Sequence, residues 1–274
     1  MLEHDCPISL LWYNHRMEKL VLKRVVSIVK KAYRKANRLK SENIVENKEL
    51  NDVVSSVDRF METEIIAGLK RFYPEHGFIG EEFGQQNESQ KEYDWLIDPI
   101  DGTINYIAGI PLFGTSVALR RNKTIILGVV FDWTSNDVYY AIIDKGAYKN
   151  KDKLTVSDTK ELKDSIVTLC LTSHYNEEHT KEIIETITKL SPKVRGLRLI
   201  VCSTVELGWL ASGKTDGMIN IKPSIGLSSA AGKLLVTEAG GVVTNILGKP
   251  RKEIDTLLVT NGLIHDEILK ALNG

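Results

Sequence analysis

The sequence predicts a protein of mixed α and β structure, and three stretches carry that prediction. Residues 18–38 and 58–72 show apolar positions recurring at the helical period. Three β-type runs, GTSVALR, TIILGVVFD and DVYYAII (114–143), follow one another with turn residues between them. From residue 165 onward, strand-like and helix-like runs alternate to the end of the chain.

In the first helix Leu20, Val21, Val25, Val26, Ile28, Val29 and Ala32 form the apolar stripe, and Lys and Arg fill the other face. The polar stretch SENIVENKELND (41–52) reads as a loop. The second helix carries Phe60, Ile65, Ile66, Leu69 and Phe72 and is ended by Tyr73-Pro74. FIGEEFG is a short strand running into a turn, and a polar loop leads to the apolar strand Trp95-Leu96-Ile97. The three β-type runs then read as consecutive antiparallel strands. Gly146 and the charged run KNKDK mark a boundary near residue 150. In the second half SIVTLCLTS, VRGLRLI, DGMINI, GVVTN and TLLVTNG read as strands. EEHTKEIIETITKL, STVELGWLASG, SSAAGKLLVTEAG and IHDEILKALN read as helices. The expected organisation is a loose N-terminal extension over 1–16, an α+β domain over 17–150 and an α/β domain over 151–274.

Composition narrows the partners. Among 274 residues, 36 Lys+Arg balance 36 Asp+Glu, so the formal net charge is zero. No global positive field exists to hold nucleic acid or an anionic membrane, and neither is expected as a partner. Cys6, Cys170 and Cys202 are odd in number and show no CxxC spacing, which fits free thiols in a reducing compartment. No apolar run is long enough to span a bilayer. The short apolar patch Ile8–Trp12 has two acids and no Lys or Arg before it, a poor signal peptide. The expected location is cytoplasmic.

The densest chemical feature is IDPIDGT, Ile97–Thr103. An apolar strand ends directly in Asp98 and Asp101, and Pro99 between them stiffens the turn. Two carboxylates aimed at one point are costly unless a cation neutralises them, and hard oxygen ligands select Mg2+, Mn2+ or Ca2+. Gly102 and Thr103 follow, where amides at a helix start make a phosphate cradle. Metal beside an anion site is what phosphoryl transfer to water requires. The competing reading is an Asp cap followed by a Gly turn. Three further features are weaker alone. Glu81 and Glu82 of GEE could be merely solvated, Asp58 could be a helix N-cap, and TEAGG (237–241) could be helix packing.

Together, DVVSSVDRFMETEI, FIGEE, WLIDPIDGTINY and SSAAGKLLVTEAGG resemble the inositol monophosphatase family in order and rough spacing, over roughly residues 17–272. That family includes enzymes hydrolysing fructose 1,6-bisphosphate. The resemblance implies a layered αβαβα sandwich with the site between the two domains. The implied reaction is hydrolysis of a small sugar or polyol phosphate by metal-activated water, with two or three Mg2+ ions, or Mn2+, and no covalent enzyme intermediate. It implies Glu81, Asp98 and the Ile100 carbonyl as ligands of a first ion, and Asp98 and Asp101 as the bridge to a second. Thr103 with Glu81 would orient the attacking water, Asp58 would hold Thr103, and the amides of Gly102 and Thr103 would bind phosphate. Arg195, Arg198, Ser203 and Glu206 fall in the region expected to meet substrate, each arginine having an ordinary surface reading beside it. The family also admits a homodimer. His76 and His174 read as surface residues.

One position departs. Where the family has an Asp ligand of the second metal, this chain has Ser228, preceded by Leu227. A weakly held second metal, substitution by Asp216 or Glu238, and a feeble or non-catalytic relative are the open outcomes. A phosphatase of 3′-phosphoadenosine 5′-phosphate is the alternative within the superfamily.

Overall fold

A computed structural model describes residues 15–38, 45–49, 52–86, 91–170, 176–224, 226–252 and 255–274. Residues 1–14, with Cys6, lie outside them, as does His174. Two helices open the chain, α1 (His15–Arg38) and α2 (Ser56–Lys70), separated by the strands β1 (Val45–Glu49) and β2 (Asp52–Ser55). Next come β3 (Gly77–Gly80), β4 (Gly84–Gln85), β5 (Tyr93–Asp101), the short α3 (Thr103–Ala108) and β6 (Gly114–Arg121). β7 (Thr124–Asp132), β8 (Asp137–Ile142), β9 (Ala147–Lys149) and β10 (Asp152–Lys153) follow. The remainder is β11 (Ile166–Cys170), α4 (Glu177–Leu190), β12 (Gly196–Ile200), α5 (Ser203–Ala211), β13 (Gly217–Ser224), α6 (Leu227–Glu238), β14 (Val242–Thr244), β15 (Asp255–Thr260) and α7 (His265–Asn273).

The strands form an eight-stranded sheet in the order β10-β9-β8-β7-β6-β5-β3-β4 and a five-stranded sheet in the order β12-β11-β13-β15-β14. In the first, the β3–β5 pair is parallel and the other pairs are antiparallel. In the second, β12, β11 and β13 run parallel, and β15 is antiparallel to both of its neighbours.

Side-chain alternation stacks these sheets into layers. Val117, Leu119, Leu127, Val129 and Phe131 point one way, onto Val21, Val25 and Val29 of α1 and Met61, Ile65 and Leu69 of α2. Their neighbours Ala118 and Val130 point the other way, onto Leu207 and Leu210 of α5 and Ala230, Ala231 and Leu235 of α6. Gly128 lets α6 lie close, since a Cβ there would stand 2.8 Å from Ala231 Cα. The far face of the five-stranded sheet buries Ile183 and Leu190 of α4 and Ile268 of α7. The order is α1/α2, sheet, α5/α6, sheet, α4/α7: the layered αβαβα arrangement. Among the described residues no helix is long and apolar enough to cross a membrane.

Two expectations are corrected. The stretch 41–52 is not simply a loop, because β1 and β2 pair in it as an antiparallel ribbon. Such a ribbon is held by backbone hydrogen bonds and needs no apolar run to announce it. His76 is not a surface residue. It is 4% exposed and stacked on Tyr73 and Tyr93. Burial lowers its pKa to about 4, against the pull of Asp94 and Glu92, so it packs as a neutral ring.

Candidate active site

Strand β5 delivers the two aspartates. Asp98 and Asp101 are three residues apart, an odd number, so a regular strand would send them to opposite faces. The pairing with β6 prevents this. Asp98 lies opposite Ser116 and Asp101 opposite Gly114, so β5 advances three residues while β6 advances two. That is a bulge of one residue at Pro99-Ile100, where Pro99 has no N–H for the ladder. The bulge is pinned, because Thr115 Oγ1 donates to the Pro99 carbonyl at 2.6 Å and Trp133 Nε1 donates to Thr115 Oγ1 at 2.9 Å.

The two carboxylates then face the same side, Asp98 buried and Asp101 half-buried. Asp98 is 2% exposed, and its Oδ1 has no hydrogen-bond partner. Burial, followed by the neighbouring Glu81 and Asp101 and more weakly Asp58, pushes its carboxyl well above the usual carboxylate range. Asp101 is also raised by burial, opposed by the bonds it accepts. Those come from the Thr204 amide at 2.6 Å and Ser203 Oγ at 3.2 Å. Asp101 thus accepts an N–H that the first turn of α5 leaves unpaired and ties the two sheets' elements together.

Glu81 stands in the turn between β3 and β4, its amide bonded to the Ile97 carbonyl at 3.2 Å. That turn is held by a residue that sequence reading missed. Glu62 on α2 is fully buried and accepts from the amides of Glu82 at 2.8 Å and Phe83 at 3.1 Å. Gly80 is the entry point, since a Cβ there would meet Glu62 Oε1 at 1.9 Å.

Asp58 lies within α2, which starts at Ser56, so it is not the N-cap. It is 1% exposed. Thr103 Oγ1 stands 3.1 Å from Asp58 Oδ1 and 2.9 Å from the Ile100 carbonyl, two acceptors for one proton. Gly102 takes φ 85° as the N-cap of α3. A Cβ there would meet the carbonyls of Leu112 at 2.9 Å and Val201 at 3.2 Å, so the glycine is required first by packing. Asn105, also missed, donates to those same carbonyls at 2.9 Å and 3.1 Å.

Ser228 sits in the first turn of α6, half-buried. Its carbonyl accepts from Thr204 Oγ1 at 3.1 Å, and the Leu227 carbonyl accepts from Ser116 Oγ at 3.2 Å. The start of α6 is therefore bonded to the residue that follows Ser203 and to the residue opposite Asp98. Neither proposed substitute acid is there. Asp216 accepts from Ser157 Oγ and the Ile166 amide. Glu238, at the far end of α6, caps the amides of Asp144 and Gly146.

The four expected substrate contacts divide. Ser203 reaches Asp101. Arg195 is exposed and paired with Asp164 at 2.5 Å. Arg198 is exposed on the edge strand β12 and donates to the Leu197 carbonyl. Glu206 is fully buried, its oxygens find no well-formed hydrogen bond among the described residues, and burial pushes it up to about 8 against the pull of the nearby Thr168 hydroxyl.

Among the described residues no three His, Cys, Asp or Glu form a finished metal cage. The acids instead sit within electrostatic reach of Asp98, whose buried Oδ1 is unpaired. All donors there are hard oxygens: Glu81, Asp98, Asp101 and the Ile100 carbonyl. Such a set fits Mg2+ or Mn2+ and does not fit a soft metal.

The chain is similar to known proteins along most of its length. An inositol-1-monophosphatase of Mesorhizobium japonicum is 32% identical over 225 residues, covering 81% of this chain and 83% of that protein. A fructose-1,6-bisphosphatase/inositol-1-monophosphatase of Aquifex aeolicus is 34% identical, covering 85% and 86%. Among solved structures, the extragenic suppressor protein suhB of Bartonella henselae superposes with a TM-score of 0.85 at 28% identity, covering 93% of this chain and 98% of that one. Residues 16–273 match the inositol monophosphatase family as a whole, and the chain belongs to that family.

Proposed function

We propose that this chain is a Mg2+-dependent hydrolase of small sugar or polyol phosphate monoesters, of the kind represented by inositol 1-phosphate and fructose 1,6-bisphosphate. The observation that carries the reading is the pinned bulge, which sets the buried Asp98 and the half-buried Asp101 on one side of β5, within electrostatic reach of Glu81 and of Asp58, the partner of Thr103. Glu81, Asp98, Asp101 and the Ile100 carbonyl would hold the cations. When bound, these supply a more acidic water and neutralise charge on the phosphoryl and leaving oxygens. The protein's own groups do the positioning. Asp58 accepts the Thr103 proton, which leaves the lone pairs of Thr103 Oγ1 free to orient the attacking water, and Glu81 accepts from that water. The amides of Gly102 and Thr103 would take a phosphoryl oxygen. α3 has only six residues, so the phosphate would be held chiefly by the cations.

The test is phosphate release with Mg2+ from inositol 1-phosphate, fructose 1,6-bisphosphate and 3′-phosphoadenosine 5′-phosphate. Turnover of either of the first two is expected. Release from the nucleotide alone would move the protein to the other branch of the superfamily, and release from none would favour a non-catalytic role.

Ser228 gives a second expectation. The turn that carries it is bonded to Thr204 and to Ser116, the residue opposite Asp98, and its hydroxyl is neutral and a weak cation ligand, so position 228 lacks the charge that an acid would bring. Ser228→Asp is expected to lower the Mg2+ concentration for half-maximal activity several-fold, about 1 kcal/mol of added cation binding. An unchanged Mg2+ titration would show that position 228 does not face a cation.

A further inference from the structure

The carboxylate centre is joined to the first helix by a chain of contacts through Trp133. This residue follows directly on β7, which ends at Asp132. Asp132 Oδ1 holds the turn after it, accepting from the amides of Thr134 at 2.9 Å and Ser135 at 3.2 Å. The indole stacks on Tyr33 of α1, with ring centres 3.5 Å apart and planes 14° from parallel. It also stacks on Phe131, at 3.8 Å and 25°. Phe131 lies opposite Thr115 in the β6–β7 pairing. Trp133, two residues further on, therefore comes to the face on which Thr115 is buried. There its Nε1 meets Thr115 Oγ1 at 2.9 Å.

The chemistry of these groups gives the chain a direction. An indole N–H only donates, whereas a threonine hydroxyl has one proton and two lone pairs. Thr115 Oγ1 accepts from Trp133, and its single proton goes to the Pro99 carbonyl at 2.6 Å. The peptide unit is planar, so fixing the Pro99 carbonyl also fixes the Ile100 amide in the middle of the bulge. The next carbonyl, that of Ile100, is held less firmly. Thr103 Oγ1 stands 2.9 Å from it but also 3.1 Å from Asp58 Oδ1. The bond from Thr115 is thus the firmer hold on the backbone between Asp98 and Asp101. Such a hold has work to do, because Glu81, Asp101 and Asp58 all act against a charged Asp98 and favour an opened bulge.

We propose that Trp133 is a positioning residue for the cations: stacked against α1, it aims the Thr115 proton at Pro99 and so holds Asp98, the Ile100 carbonyl and Asp101 in the arrangement that takes Mg2+. This rests on the phosphatase reading above and adds to it the contact that sets how tightly the centre holds its ions. Trp133 has no oxygen to offer a cation, and the Thr115 hydroxyl is engaged on both sides, so the two act through the backbone of the bulge. Groups that orient ligands without binding the metal change its affinity by about 10-fold to 100-fold when removed.

Calorimetric titration of the metal-free protein with Mg2+, without substrate, tests this. Trp133→Phe keeps an aromatic ring against Tyr33 and Phe131 and removes the N–H, and it is expected to weaken Mg2+ binding several-fold. Thr115→Val keeps the side chain's shape, leaves the Pro99 carbonyl without its donor and is expected to weaken binding about tenfold. Thr115→Ser restores the hydroxyl and should bind like wild type. The double variant should bind no more weakly than Thr115→Val, because both changes act through one bond. At saturating Mg2+ the kcat and KM of each single variant should return to wild-type values. Thermal unfolding of the metal-free variants separates this from a merely structural role. Unchanged Mg2+ affinity in Trp133→Phe, whatever its Tm, would overturn the proposal, as would a Thr115→Ser protein that binds as weakly as Thr115→Val. Trp133-dependent Mg2+ binding with no phosphate released from any ester would instead defeat the phosphatase reading and leave the positioning role standing. A wild type that binds no Mg2+ would remove both.

Discussion

Asp98→Asn is expected to slow phosphate release by at least a thousandfold, on the order of 4 kcal/mol of transition-state stabilisation. The folded, metal-free protein should be as stable as the parent or more so. The two effects have one origin. Asp98 is buried, its Oδ1 unpaired, with Glu81, Asp101 and Asp58 all acting against its ionisation. A carboxylate in that position strains the metal-free fold and is relieved when a cation arrives. Asparagine keeps the shape, removes one of the repelling charges and offers an amide donor to the acids that remain. Under the proposed function it also removes a carboxylate that would hold the cations. Thermal unfolding with and without Mg2+ separates the two consequences, since the Mg2+-dependent rise in Tm should shrink while the metal-free Tm does not fall. Substantial turnover by the variant, or a metal-free protein that unfolds more easily than the parent, would remove Asp98 from the centre of the site.

The fold was largely legible because its layers are written in local period. The stripe Val21, Val25, Val29 on α1 and the alternation of Val117, Ala118 and Leu119 on β6 each name the face that is buried. The candidate site was legible where it is local as well, in the run from Asp98 to Thr103. What remained hidden was non-local. Pro99 suggests an interrupted strand, but the one-residue bulge belongs to the pairing with Thr115 and Ser116 and cannot be read from β5 alone. Glu62 looks like one more polar residue on a helix, and its partners are amides twenty residues onward. Conversely, Asp216 and Glu238 look available near Ser228 in sequence, yet each is occupied by backbone amides elsewhere. A polar side chain's role depends on who reaches it, and periodicity carries no information about that.

Thr103→Val is the second large expectation: a fall in kcat of about a hundredfold or more, with little change in KM. Valine preserves the branched shape at the start of α3, so packing is retained. The lost hydroxyl bond costs about 1 kcal/mol of stability. What disappears is the proton shared with Asp58 Oδ1 at 3.1 Å and the oxygen that this bond orients. If Asp58 acts only by holding Thr103, then Asp58→Asn in the Thr103→Val background should slow the enzyme little further. The two single losses would then overlap rather than multiply. Fully multiplicative losses would give Asp58 a task of its own, for which its proximity to Asp98 supplies a candidate: a share in the negative field that draws the cations in. The Mg2+ dependence of the Asp58→Asn single variant distinguishes these. Unchanged half-saturation by Mg2+ assigns Asp58 to the hydroxyl, and a weakened one assigns it to the field.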